Sequence, residues 1–376
     1  MHILILNSEY PPIGAGAGNA SAQLARQFAA RGHQVSVLTA RYGDLPRDET
    51  LEGVRIIRLP SLRRRQDRST ALEQAIFILS ACLWGLSWAR QLKPDVTLAF
   101  FGAPSGVAAW LWNHLLGLPY IVSLRGGDVP GFRPYDFGRQ HRLLGPLLRR
   151  VWRRAAAVVA NSQGLRQLAQ AFDPAREIEI IPNGVDLAAF PAGRRTWQPL
   201  RMLFVGRVVY QKGLDLLLDA LADFGEPGWR LTIGGDGPRL ESLREQAAAL
   251  GLAERVEFCG WLDRRQLAER LAAANLFVHP SRHEGMPNAV LEAMASGLPV
   301  LASRIAGNEE LITPDCGVLV PSEDPLALKN ALYALADAHL RQGMGAAARQ
   351  RVQQHYTWPA VAEAYLQLLQ AAQRAD

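Results

Sequence analysis

Short apolar runs alternate along this chain with stretches whose apolar positions recur every three or four residues. His2–Leu6 is the first run. The glycine-rich stretch Asn7–Asn19 follows, then an expected amphipathic helix near Ala20–Arg31 that stops at Gly32, and then a second apolar run, Gln34–Leu38. Strand, loop, helix and strand in that order predict a parallel sheet with helical crossovers. Further strands are expected at Val54–Leu59, Val96–Phe100, Tyr120–Leu124, Ala157–Ala160 and Ile178–Ile181. The rhythm breaks at Phe190–Pro199, FPAGRRTWQP, which has no periodicity and reads as a domain boundary. It restarts at Arg201–Val205 and continues through Arg230–Ile233, Val256–Cys259, Leu276–His279, Val300–Ala302 and Gly317–Val320. The pattern predicts an α/β protein of two doubly wound domains, residues 1–190 and 198–355. A length of 376 residues, beyond what one core usually serves, agrees. Two such domains on a short linker are expected to face each other across a deep cleft, with the chemistry on loops at the carboxyl ends of the strands.

Composition changes this picture little: 49% of residues are apolar and 20% charged, as in an ordinary soluble enzyme. The apolar stretch Ala71–Ala89 is shortened below a membrane span by Glu73 and Gln74, so a core or interfacial helix is expected there. Cys82, Cys259 and Cys316 lie far apart and predict buried thiols, not a disulfide framework or zinc site. Met1 runs straight into the first strand, so no signal peptide and a cytoplasmic location are expected. Charge is less evenly spread. Residues 1–190 hold 22 Lys/Arg against 14 Asp/Glu, and the remainder 19 against 21. Either the first half meets something anionic or the charge serves solubility. Arg139, Arg142, Arg149, Arg150, Arg153 and Arg154, set among leucines and Trp152, form a helix that would suit the inner face of an anionic membrane, as would Arg63–Arg65. A plain solvated helix fits the same pattern. No nucleic-acid recognition motif accompanies the charge, so no nucleic acid partner is expected.

Two segments carry candidate chemistry. Ser281–Gly297, SRHEGMPNAVLEAMASG, follows a buried strand and opens a helix near Pro287. Backbone amides at such a start, with the helix dipole behind them, suit an anion. Glu292, one turn further in, offers two acceptor oxygens that match a ribose diol, and Glu284 lies in the loop before. In Leu203–Asp215, LFVGRVVYQKGLD, Arg207 and Lys212 flank a short loop. Two cations there can neutralise a departing diphosphate as a metal otherwise would. The loop Gly14–Asn19 has the wrong glycine spacing for a dinucleotide fingerprint, and Thr39-Ala40-Arg41 places no acid after the second strand. Gly16 and Gly18 would let backbone approach donor phosphate, with Asn19 on the acceptor side. In Ser123–Asp128 two roles are open. Arg125 can clamp a phosphate or hydroxyl while Asp128 orients an acceptor, or Asp128 caps backbone amides in a structural turn. His279 and His283 straddle a strand end and are not expected to bind metal.

Glu284 and Glu292 with seven residues between them, Gly206-Arg207, Lys212-Gly213, Ile181–Asp186 (IPNGVD), Ile233–Pro238 (IGGDGP) and Glu9–Pro12 together resemble glycosyltransferase family four over essentially the whole chain. The resemblance implies a GT-B fold of two Rossmann-like domains. The first would bind the acceptor and be covered by a C-terminal helix of about residues 356–376; the second would bind the nucleotide sugar. It implies sugar transfer with retention of configuration and no metal or other cofactor, the nucleotide-diphosphate sugar being a co-substrate. Arg207 and Lys212 would bind the diphosphate, Glu292 the ribose and Glu284 the sugar, with Gly285, Met286, Pro287, Asn288 and Ala289 approaching sugar and phosphates through backbone. Glu284, Arg207, Lys212 and Asp128 would be catalytic. Relatives often carry histidine where Arg125 stands. A glycan or lipid-linked acceptor is expected, in cell-surface polysaccharide or glycolipid synthesis. A GT-B sugar-nucleotide epimerase and a non-catalytic nucleotide-sugar-binding protein are the alternatives.

Overall fold

The computed structural model describes residues 1–14, 16–66, 69–132, 134–193 and 195–374, with backbone alone from 134 to 140. Ala15 of the glycine-rich loop, Arg194 of the expected linker and the Arg139 side chain therefore lie outside the described residues.

The chain folds as two units, Met1–Asn183 with Trp358–Asp376, and Gly184–Thr357. The first holds an eight-stranded sheet of β1 (His2–Leu6), β2 (Gln34–Ala40), β3 (Asp48–Leu51), β4 (Val54–Leu59), β5 (Val96–Phe100), β6 (Tyr120–Ser123), β7 (Ala157–Ala160) and β8 (Glu179–Ile180). Its order is β3-β4-β2-β1-β5-β6-β7-β8, parallel throughout except for the β3–β4 hairpin. The hairpin turns at Glu52-Gly53, and β3 is half-polar (DETL), so it gives no apolar run to read. The second unit holds a six-stranded parallel sheet of β9 (Arg201–Val205), β10 (Arg230–Gly234), β11 (Val256–Gly260), β12 (Leu276–His279), β13 (Val300–Ser303) and β14 (Gly317–Val320), ordered β11-β10-β9-β12-β13-β14. Central strands such as β1, β5 and β12 are buried at every residue, which is why they appear in the sequence as unbroken apolar runs.

The division falls earlier than residue 190, and Phe190–Pro199 is not the hinge that its composition suggests. The Val185 amide donates to the Tyr356 carbonyl at 2.8 Å, and Arg349 donates to the Phe190 carbonyl at 3.0 Å. Val185 and Phe190 are buried in the core of the second unit, and the exposed part of the segment simply runs over that unit's surface. Tyr356 belongs to the same core, its hydroxyl donating to the Glu310 carbonyl at 2.9 Å. The last helix is Trp358–Arg374; Trp358, Val361, Tyr365 and Leu369 pack beside Ala25 and Phe28 of the first unit. Its Tyr365 hydroxyl meets Ser123 Oγ at 2.7 Å, at the end of β6.

The basic helix is Pro134–Arg154, and its Trp152 does not face outward. Leu148, Val151 and Trp152 are in the core. Arg153 donates through Nε and Nη2 to the two carboxylate oxygens of Asp173 at 2.9 and 2.7 Å, Arg149 donates to the Phe172 carbonyl, and Arg154 donates to Asn113 at 2.9 Å. Arg142, Leu143, Leu144 and Arg150 remain exposed.

Candidate active site

In the second unit two loops at strand ends are held against each other. The loop after β9 runs through Gly206 and Arg207 into a single tight turn, Tyr210–Lys212, and then Gly213. Gly213 has φ +64°, and a Cβ there would run into the Pro280 carbonyl oxygen, so only glycine allows the turn to press on the loop after β12. Arg282 fastens the contact. Its guanidinium donates to both oxygens of Asp215 (3.0 and 2.9 Å), to Glu323 (2.9 Å) and to the Tyr210 carbonyl (2.7 Å), and it lies 3.9 Å from the Tyr210 ring centroid. The Arg282 amide donates to the Gln211 carbonyl at 2.7 Å, and Gln211 Nε2 donates to the His283 carbonyl at 2.6 Å.

This arrangement brings Lys212 to Glu284. Lys212 Nζ donates to Glu284 Oε1 at 2.5 Å, with the two side chains 13% and 10% exposed, so the pair is screened from water. His279 Nε2 lies 3.1 Å from the same oxygen and 3.1 Å from Ser281 Oγ. A carboxylate only accepts, so the His279 proton sits on Nε2. The ring is fully buried beside Phe204 and Phe277, nearly parallel to both, and its Nδ1 has no partner. Burial lowers the His279 pKa and keeps the imidazole neutral. Burial also opposes ionisation of Glu284, but Lys212 and the His279 N–H outweigh it and hold the carboxyl well below its ordinary range. The contacts of His279 and Arg282 leave no sign in the sequence, because neither a strand-end histidine nor one loop arginine has a spacing that signals its partner.

Arg207 is half-buried, and its guanidinium makes no described hydrogen bond or ion pair. The helix after the second loop is Asn288–Ala295. Pro287 precedes it as the cap residue in extended conformation (φ −79°, ψ 110°), one position earlier than expected, and its own side chain offers no cap hydrogen bond. The positive end of the helix dipole at this start favours negative charge. Glu292, one turn in, is half-buried and its carboxyl has no described hydrogen-bond partner; burial pushes that carboxyl up to about 7 against a weaker downward pull from Arg264. Arg264 itself pairs with Asp186 of the IPNGVD segment at 2.6 Å. The structure thus brings Lys212 and Glu284 into direct contact and places Gly285–Ala289 and Glu292 on the same loop and helix. Among the described residues no group of three His, Cys, Asp or Glu gathers as metal ligands.

The other candidates belong to the first unit. The first helix is Gly16–Ala30, so Gly16, Gly18 and Asn19 form its opening turn and not a loop. Gly18 is buried, and a Cβ there would stand 2.9 Å from the Ile13 carbonyl oxygen. Asn7, at the end of β1, secures this turn by donating to Ser21 Oγ (2.9 Å) and the Ala17 carbonyl (3.2 Å). Of the two roles open for Asp128, the geometry is that of a turn cap. Its carboxylate accepts from the amides of Gly102 (2.7 Å), Arg125 (2.9 Å) and Gly126 (3.0 Å) and is 7% exposed. Burial raises its pKa against the pull of those amides. Arg125 lies over the Phe100 ring at 4.5 Å and donates to Asn183 Oδ1 at 2.7 Å, while its Nε is buried without a partner.

The Arg282 contacts give a direct expectation. Arg282→Ala leaves Asp215 unpaired and frees the two loops. We expect a stability loss on the order of 3 kcal/mol in denaturant unfolding and a raised KM for the donor, with Arg282→Lys restoring part of both. An unchanged unfolding midpoint would mean the loops are held by other contacts.

Comparison with known proteins identifies the family. Residues 193–351 match the family model for glycosyl transferases group 1, and residues 15–184 match a glycosyl transferase 4-like domain. The chain is 31% identical to glycogen synthase of Mycobacterium tuberculosis, over 100% of this chain and 96% of that protein. It is 30% identical to the 2-deoxystreptamine N-acetyl-D-glucosaminyltransferase of Streptomyces fradiae, over 87% and 84% of the two chains. Among solved structures, sucrose-phosphate synthase of Thermosynechococcus elongatus has a TM-score of 0.87 at 23% identity, covering 100% of both chains. Anabaena HepE in complex with UDP and glucose has a TM-score of 0.79 at 20% identity, covering 99% of this chain and 100% of that one. With two parallel-sheet Rossmann-like units, an anion-ready helix start and a paired lysine and glutamate beside it, the chain belongs to glycosyltransferase family four and has the GT-B fold.

Proposed function

We propose that this chain is a retaining, metal-independent glycosyltransferase that moves a sugar from a nucleotide diphosphate to a hydroxyl of a glycan or lipid-linked acceptor. We place it in the cytoplasm, in the synthesis of a cell-surface polysaccharide or glycolipid. The observation that carries the reading is the Lys212–Glu284 ion pair, which joins the loop that carries Arg207 to the loop that opens the helix Asn288–Ala295. Two cations and a helix dipole supply positive charge for a leaving diphosphate without a metal. Glu292 would accept both ribose hydroxyls, and Glu284, already ionised, would accept from a sugar hydroxyl.

In the reaction the bond between the anomeric carbon and the phosphate oxygen breaks as the acceptor oxygen bonds to that carbon from the same face. The acceptor's proton passes to a phosphate oxygen of the departing nucleoside diphosphate. No side chain need act as nucleophile, since the leaving group itself is the base. Arg125 would meet a phosphate or hydroxyl through its unpartnered Nε, with Asp128 fixing the backbone beneath it. Solved complexes of HepE with UDP and with UDP-glucose favour a uridine donor as the first to test. Two further relatives support a lipid-linked acceptor: a lipopolysaccharide core biosynthesis glycosyltransferase of Rhizobium meliloti, 30% identical, and a phosphatidylinositol monomannoside mannosyltransferase of Corynebacterium glutamicum, 31% identical.

The test is the anomeric configuration of the product, read by proton NMR in a reaction with chelator present. An α-linked product from an α-linked donor sugar is expected. A β-linked product, or turnover only after a divalent metal is added, would overturn the reading. Conversion of donor with no acceptor present would point to an epimerase.

A further inference from the structure

The residues from Ala71 to Leu92 form one continuous helix whose two sides are both apolar. It consists of Ala71–Ser80, a wider turn Ala81–Gly85 and Leu86–Leu92. One side carries Phe77, Ala81, Gly85 and Ala89, four residues apart. Three of these are small, so the helix settles closely on Trp112; a Cβ at Gly85 would stand 2.7 Å from that indole. The opposite side carries Leu72, Leu79 and Leu83, exposed by 66%, 62% and 64%, with Trp84 beside them at 52%. Seven- and four-residue spacings place the three leucines in one row along the helix.

By length and composition this helix could cross a membrane, yet it cannot do so while Phe77 and Ala81 are part of the core of the first unit. It is not a core helix either, because only 22% of its most apolar stretch is buried. Charge identifies what covers the free side. Its one acid, Glu73, is engaged by backbone in a capping box, accepting from the amides of Thr70 (2.6 Å) and Arg64 (3.0 Å). That second bond holds the exposed Arg64 and Arg65, with Leu62 56% exposed, against the first turn, and Arg90 is exposed in the last turn. Among the described residues the face is therefore a row of leucines with an amphipathic Trp, free of acids and bounded at both ends by arginine. A helix about 33 Å long with that pattern suits the boundary between headgroups and acyl chains, where Trp and arginine stems are at home.

We infer that the Leu72–Leu79–Leu83 side of this helix lies in the surface of an anionic lipid bilayer and holds the first unit there. This deepens the proposal of a lipid-linked acceptor and rests on it for its purpose, but vesicle binding is read without turnover, so either can fail alone.

The experiment is flotation of the full chain with vesicles of phosphatidylcholine alone or with about a third phosphatidylglycerol. Wild type is expected to float with the anionic vesicles, less so in high salt, and much less with neutral ones. Leu79→Asp with Leu83→Asp should lower binding at least ~10-fold, with melting temperature and nucleotide binding unchanged. Should the aspartates lower the melting temperature, the milder pair Leu79→Ser and Leu83→Ser gives the same comparison. Equal flotation of wild type and variant would overturn the inference, and so would equal binding to neutral vesicles. A concentration-dependent dimer that the substitutions dissolve, with no flotation, would assign the face to a second copy of the chain instead.

Discussion

Lys212→Ala is expected to lower turnover by about 10³-fold or more while the protein still folds. Removing one preorganised donor from a developing anion costs about 10²–10³ in rate, and here the substitution does a second kind of damage. Glu284 loses the cation 2.5 Å away and is left as a buried, uncompensated carboxylate beside the place where phosphate would bind. Breaking such a pair costs about 3–5 kcal/mol in stability, so melting of the variant must be followed alongside its rate. The loss carries a pH signature. In the wild type the Glu284 pKa is depressed, so its contribution to stability is present above the unfolded value and fades as pH falls through the folded one. Without Lys212, burial dominates and the carboxyl titrates higher. The variant should then regain stability relative to wild type as pH falls and Glu284 takes up a proton. A folded Lys212→Ala enzyme with wild-type turnover would remove Lys212 from the reaction.

Glu292→Gln is expected to weaken nucleotide-sugar binding by roughly 10- to 100-fold, two hydrogen bonds to a charged acceptor being worth about 1.5–3 kcal/mol each and the amide retaining part of that. With a pKa of about 7, the wild-type carboxyl holds a proton in the free protein below that pH and must release it to accept both hydroxyls of a diol. Donor affinity in the wild type should therefore fall as pH drops below about 7 and stay level above it. A nucleotide-diphosphate sugar has no phosphate group of its own that titrates there. The free protein should show the opposite trend. A carboxyl whose folded pKa is raised stabilises the fold below its unfolded value and loses that contribution as pH rises through about 7. Both slopes should vanish in Glu292→Gln. Titration calorimetry across this pH range measures the first and thermal melting the second; a pH-dependent affinity that persists in the variant would assign the titration elsewhere.

The central strands were legible because parallel strands buried on both faces are unbroken apolar runs; β1, β5, β7, β9 and β12 begin and end where the pattern places them. β3 was not, since its polar DETL forms an edge strand. The 190–199 segment misled for a related reason. Pro, Gly and Arg signal irregular backbone, but irregular backbone can lie along a domain as readily as between two, and the buried Val185 and Phe190 on its N-terminal side decide which. At the site, motif spacing led to Arg207, Lys212, Glu284 and Glu292 as separate charges. It did not reveal that Lys212 and Glu284 are in direct contact, because that contact depends on the left-handed Gly213 and on Arg282 drawing two loops together across 72 residues of sequence. Asp128 shows the converse. A polar residue in a Gly-rich turn after a strand suits an acceptor site and a turn cap equally, and only the three amides around its carboxylate separate them.

The central claim is that Arg207, Lys212 and Glu292 form a donor site that needs no metal. Titration calorimetry of the purified chain with UDP, GDP, ADP and dTDP sugars, in excess chelator, tests it most directly. The account predicts saturable binding of one of them, with one site per chain, weakened at least ~10-fold in Glu292→Gln. Binding that appears only when a divalent metal replaces the chelator, or that is unchanged in Glu292→Gln, would contradict it.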